Sequence, residues 1–273
     1  ENGVAEIEGV PVDLVLRPGH GVVVQVLGDE RRLEAIDSSG RLDTDLFDDG
    51  RRTLPLGIPV DLLWTDEGPV VVDLRVARRF DVDGTLALEI DLTDGDLVDV
   101  LAAAVDGQGL FVGGRGANDG PLVECRSLDN GTVDPFFAEL WQETLPLVSV
   151  PTSVYALSFG EMGGTALIRG PEIDDVPTEG AVSFDREGVL SQSFGIGGVN
   201  PLFRDASRPI ALLDVGVPHI LVRGEFEDQV STVRQRFTSI LKSVSGTAVA
   251  FGIEPGSGTP RVAVEDATAF VVE

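Results

Sequence analysis

The chain is 273 residues long, with 46 acidic side chains against 20 basic ones, a formal charge of -26 and 42% apolar residues. That apolar share belongs to a folded protein and not to a charged disordered tail, and the negative field repels phosphates and anionic headgroups, which excludes nucleic acid and membrane surfaces as expected partners. No apolar run approaches the ~20 residues that a membrane-spanning helix needs, and the single cysteine, Cys125, excludes an internal disulfide.

The first ninety residues read as strands and turns. Short β-branched or alternating runs at Val12–Leu16, Val22–Leu27 and Arg32–Ile36 are broken by Pro18-Gly19-His20-Gly21 and by Ser38-Ser39-Gly40. Val60–Trp64 and Val70–Val76 flank Asp66-Glu67-Gly68-Pro69, and Arg79–Ile90 folds back around Asp83-Gly84. The pattern predicts an all-β domain over residues 1–92, a small antiparallel sandwich or barrel.

Residues 93–273 are expected to form an α+β domain with three helices on antiparallel sheet. Thr93 can cap a helix running through Leu97, Val98, Leu101 and Val105. Asp134-Pro135 is an N-cap followed by proline at the first helical position, ahead of a stripe of Phe136, Phe137, Leu140 and Trp141. The third helix is expected over Glu227–Val244, where Val230, Val233, Phe237, Ile240, Leu241 and Val244 fall at helical spacing. The fold class is therefore mainly β with α+β elements.

Phe80-Asp81-Val82-Asp83-Gly84-Thr85-Leu86 resembles the first motif of the haloacid-dehalogenase-like phosphatases. The resemblance implies a nucleophile at Asp81 and a general acid/base at Asp83 beside Mg²⁺. In that family the motif ends a buried apolar strand; here Arg78-Arg79 stand in its place, and the sole lysine, Lys242, follows the acidic pair Asp174-Asp175. A hairpin turn in which Asp-Gly supplies the positive φ angles accounts for the same residues and is the expected reading. A softer reading makes Asp81 and Asp83, with Asp91 or Asp94, oxygen ligands for Ca²⁺ or Mg²⁺; no other cofactor is expected. The two histidines, His20 and His219, are expected in ordinary positions, and Cys125, on a strand between Glu124 and Arg126, as an inert thiol.

With one lysine, one tyrosine and one cysteine, the inventory of catalytic groups reduces to carboxylates, Ser and Thr, and no convergent set stands out. The expected function is that of a non-catalytic structural or assembly protein, a virion or particle subunit whose partners are copies of itself or other subunits. The alternative is a carboxylate- or divalent-metal-dependent hydrolase. Arg in place of Lys and abundant Asp and Gly suit a high-salt environment, where screening relieves self-repulsion, or a GC-rich host.

Overall fold

The computed structural model describes residues 7–107, 109–145, 153–160, 163–173, 176–194, 199–201, 207–214, 219–227, 234–242, 248–254, 261–265 and 268–272; side chains are described up to residue 194, apart from 48 and 170–179. The chain divides into two compact units, one of residues 1–92, 128–131 and 260–273, the other of residues 93–127 and 132–259.

The first unit opens with β1 (Val10–Arg17), β2 (Gly21–Leu27) and β3 (Arg32–Asp37). A single helical turn, α1 (Phe47–Gly50), leads into β4 (Arg51–Thr53), and the four strands pair in chain order. A second meander follows: β5 (Pro59–Thr65), β6 (Gly68–Asp73), β7 (Val76–Phe80) and β8 (Leu86–Asp91). Valine-rich β2 and β6 form strands because β-branched side chains suit a pleated surface buried on both faces. Val23, Leu33 and Ala35 of the first sheet pack with Leu62, Val71 and Phe80 of the second, together with Leu46, Phe47 and Leu54. Polar groups also join the two sheets. Leu62 N–H donates to Asp13 Oδ2 at 2.7 Å, and buried Arg31 and Asp73 form an ion pair at 2.6 Å.

In the second unit β9 (Leu97–Asp106), β10 (Gly109–Gly116) and β11 (Pro121–Ser127) form a three-stranded sheet, followed by helix α2 (Pro135–Thr144). Two four-stranded sheets come next. One is β12 (Ser153–Gly160), β13 (Gly163–Ile173), β14 (Val176–Phe184) and β15 (Val199–Pro201); the other is β16 (Ser207–Asp214), β17 (His219–Glu227), β18 (Arg234–Lys242) and β19 (Ala248–Glu254). A last pair, β20 (Arg261–Glu265) and β21 (Thr268–Val272), belongs to the first unit. Helix α2 forms as its sequence predicts: the Asp134 carboxylate accepts from Phe136 N–H at 3.0 Å and from Phe137 N–H at 3.4 Å. Its Trp141 Nε1–H donates to Pro121 O at 2.9 Å, and the Trp141 ring meets Phe184 edge-on, centroids 5.2 Å apart.

Two of the three expected helices are strands. Residues 97–105 form most of β9, paired along β10. Leu97, Val98, Val100 and Leu101 fit a helical stripe and a strand equally well, and the partner strand decides. Residues 234–242 form β18, paired on both sides with β17 and β19; residues 228–233 and 243–244 of that expected helix lie outside the described residues. The N-terminal region is not one sandwich or barrel. Short turns let each strand pair with the next, so the chain closes one meander before starting another.

The sheets repeat a local pattern. In β1, β5, β12 and β16 the register slips once, leaving Val12, Val60, Tyr155 and Ile210 as bulges, and in β9 it slips twice, at Val98 and Leu101. The repetition reaches the sequence itself: Gly9-Val10-Pro11-Val12-Asp13-Leu14 is answered by Gly57-Ile58-Pro59-Val60-Asp61-Leu62. The second strand of three sheets starts at a glycine of positive φ, Gly21 (134°), Gly68 (136°) and Gly163 (114°). A Cβ there would lie 2.0 Å from Ile36 O, 2.2 Å from Phe80 O and 2.1 Å from Phe184 O respectively. The third strand of each of these sheets ends at that carbonyl's residue or one beyond it.

Candidate functional site

Asp81 and Asp83 lie in the turn between β7 and β8, and the turn has two counterparts. Asp37-Ser38-Ser39-Gly40-Arg41-Leu42 follows Ile36, Asp81-Val82-Asp83-Gly84-Thr85-Leu86 follows Phe80, and Asp185-Arg186-Glu187-Gly188-Val189-Leu190 follows Phe184. In each, the glycine has positive φ: 83° at Gly40, 82° at Gly84 and 92° at Gly188. Each glycine N–H donates back to the first aspartate's carbonyl, at 3.0, 2.9 and 3.2 Å in chain order, and the aspartate N–H donates to residue 41, 85 or 189 at 2.8, 2.9 and 3.0 Å. Ile36 and Leu42, Phe80 and Leu86, and Phe184 and Leu190 then pair across the turn.

The carboxylates serve these turns. Asp37 Oδ1 accepts from Ser39 N–H, Ser39 Oγ–H and Arg41 N–H at 2.8, 2.7 and 2.9 Å. Asp185 Oδ1 accepts from Glu187 N–H and Val189 N–H at 3.1 and 2.9 Å. In the middle copy Asp83 Oδ1 takes over this task, accepting from Thr85 N–H at 2.8 Å. The Thr85 amide and hydroxyl hold the Asp83 carboxyl below the ordinary carboxylate range, as the Arg41 amide and Ser39 hydroxyl do for Asp37.

Other residues singled out in the sequence are dispersed. Asp91 ends β8, while Asp94 accepts from Arg126 Nη1 at 2.6 Å. Among the described residues no three His, Cys, Asp or Glu side chains are placed to hold a metal ion. His20 sits in the β1–β2 turn, its N–H on Arg17 O at 3.0 Å, and His219 opens β17. Cys125 lies on β11, where burial first and then the Asp134 and Asp106 carboxylates push its thiol up to about 12. Because β7 runs antiparallel to both neighbours and enters a hairpin, the phosphatase-like architecture that the resemblance implies is not built around Asp81. Sequence inspection missed the buried ion pairs: besides Arg31–Asp73, Arg126 Nη2 meets Glu124 at 2.8 Å, and Glu124 Oε1 accepts from Asp96 N–H at 2.6 Å. Alternating Glu124-Cys125-Arg126 places both charges on one face, a signal that does not by itself announce burial.

No family model and no curated protein matches the chain. Solved structures do. The complex of KlAtg21 with the coiled coil of AgAtg16 matches at TM-score 0.57 and 14% identity, over 99% of this chain and 80% of that one. The Pan2 WD40 domain of Neurospora crassa matches at TM-score 0.53 and 10% identity, over 89% and 65%. The computationally designed Ika8 protein matches at TM-score 0.50 and 13% identity, over 96% and 67%. The likeness is one of fold alone. It is a succession of small antiparallel sheets, as in the blades of a WD40 propeller, and the chain spans between 65% and 80% of those structures' lengths.

Proposed function

We propose that the chain is a non-catalytic assembly protein, a repeat scaffold that holds other subunits, or copies of itself, through its surface. The observation that carries this reading is the reuse of the Asp-x-x-Gly turn. Asp81 stands where Asp37 and Asp185 stand in the other two turns, and its neighbour Asp83 makes the carboxylate bond to the turn backbone that those two residues make themselves. Four of the charged side chains most deeply buried, Arg31 with Asp73 and Arg126 with Glu124, are likewise engaged with each other. Similarity of fold to KlAtg21, whose structure is a complex with a partner's coiled coil, is in keeping with work done by surfaces. A virion or other particle in a high-salt setting is the narrower form of the same proposal.

Light scattering coupled to size-exclusion chromatography tests it, run in ~2 M KCl and in dilute buffer. The expected result is a discrete mass well above that of one 28.9 kDa chain. A monomer that hydrolyses a phosphate ester or glycoside only with Mg²⁺ or Ca²⁺ present would overturn it in favour of the hydrolase.

A further inference from the structure

The chain has four asparagines, and the residue after each decides its chemistry. Asn118 precedes Asp119, and Asn200 precedes Pro201, whose nitrogen carries no hydrogen and is no nucleophile. Asn2 and Asn130 precede glycine, and Asn2 lies outside the described residues. Asn130-Gly131 stands at the tip of the turn between β11 and α2, where Asn130 is exposed. Behind the tip, Ser127 N–H donates to Thr132 O at 2.9 Å and Asp134 N–H to Cys125 O at 2.8 Å. Gly131 has a φ of 77°, and a Cβ there would lie 3.1 Å from Ile90 Cγ2. The turn thus requires glycine, which leaves the backbone nitrogen beside the Asn130 amide unshielded by any side chain.

The electrophile matters as much as the nucleophile. Asp49, Asp83, Asp94, Asp106 and Asp119 also precede glycine among the described residues. An aspartate is ionised at neutral pH, and a carboxylate resists attack; the asparagine amide is neutral at every pH. These carboxylates are engaged as well. Asp49, Asp83 and Asp106 accept from the N–H groups of Arg51, Thr85 and Gly109 at 2.9, 2.8 and 3.0 Å. Asp94 meets Arg126 at 2.6 Å, and Asp119 lies 3.6 Å from Arg115.

We propose that Asn130 is a site of spontaneous deamidation, with Gly131 N as the nucleophile and water as the co-reactant. Hydroxide takes the Gly131 amide proton, the nitrogen bonds to Asn130 Cγ, and the Cγ–Nδ2 bond breaks as ammonia leaves with a proton from water. The resulting succinimide adds one water. Opening at Cγ gives aspartate, and opening at the backbone carbonyl gives isoaspartate, whose extra methylene enters the main chain; nothing is oxidised or reduced. Residues 128–131 belong to the first unit, where Leu128 is buried and its carbonyl accepts from Arg79 Nη1 at 3.1 Å. A longer main chain at Asn130 therefore alters a turn that is seated in that unit. The site is independent of the assembly reading and needs no partner.

Incubating the folded full chain for several weeks at about pH 8.5 and ~37 °C, then mapping its peptides by mass spectrometry, tests the proposal. Electron-transfer fragmentation separates the two isomers. The Asn130 peptide is expected to gain about one dalton, as isoaspartate and aspartate together, at least about tenfold faster than Asn118 deamidates or the five Asp-Gly pairs isomerise. Asn130→Gln keeps an exposed amide but would need a larger ring, and the mass gain at this peptide should disappear. An Asn130 that stays intact in the folded chain, or that yields aspartate alone, would overturn the proposal.

Discussion

Only a hydrogen atom fits where Gly21, Gly68 and Gly163 face the carbonyl at the end of the third strand. Gly21→Ala should therefore cost roughly 3 kcal/mol, combining left-handed strain with a steric clash against backbone. Gly19→Ala, at φ 73° with nothing within 4 Å of the added methyl, should cost only about 1 kcal/mol. Denaturant melts of the two variants check the difference. At Asp81 and Asp83 the turn is legible in the sequence, because Asp-Gly acts within a few residues; its kinship with the turns at Asp37 and Asp185 is not, because the three segments share only the first aspartate, the glycine and the closing leucine. Asp81→Asn with Asp83→Asn should leave any activity and the response to Ca²⁺ unchanged, and calorimetric titration with that ion measures it. The Cys125 thiol, raised to about 12, stays protonated in the folded state through the range where an unfolded cysteine ionises, near ~8.5. Its contribution is fully present below that pH and is lost as pH rises toward 12. Iodoacetamide at pH 8 should label it slowly in the native protein and rapidly after unfolding.

Among the elements, α2 shows what local sequence can specify. Its cap and its first-turn proline act on their own neighbours, so Asp134-Pro135 announces the helix without knowledge of the rest. The segments of β9 and β18 carry weaker signals, a Thr93 cap ahead of the first and helical spacing in both. Their apolar residues satisfy either periodicity, and the choice is made by β10, and by β17 and β19, which the segment alone does not reveal. Helix α2 also takes the place of a full fourth strand. Asp134 N–H and Ser127 N–H make a short ladder with Cys125 O and Thr132 O, at 2.8 and 2.9 Å, before the chain turns into the helix. Trp141→Phe keeps most of the ring contacts but leaves the Pro121 carbonyl without its indole donor, and should cost about 1–3 kcal/mol. A shift of the urea midpoint with unchanged slope would report it.

For the molecule as a whole, 46 acidic groups against 20 basic ones make folding sensitive to ionic strength. The screening length is about 14 Å in ~0.05 M KCl and about 2 Å in ~2 M, so the melting midpoint should be clearly higher in the concentrated salt. An unchanged midpoint would assign the charge to coding bias. The near-copies Gly9–Leu14 and Gly57–Leu62 bear on how the chain reaches its fold. Each begins a strand that must find its own partner, β1 with β2 and β5 with β6, yet either could dock in the other's slot with similar side chains. The correct pairing spans a turn of about three residues and the exchanged one a loop of about fifty, a closure difference of only about 2.5 kcal/mol. Refolding from denaturant thus risks strand exchange between repeats, and between chains at high concentration. Synthesis from the N-terminus avoids the ambiguity, because β1 and β2 can close their hairpin before the competing copy has left the ribosome.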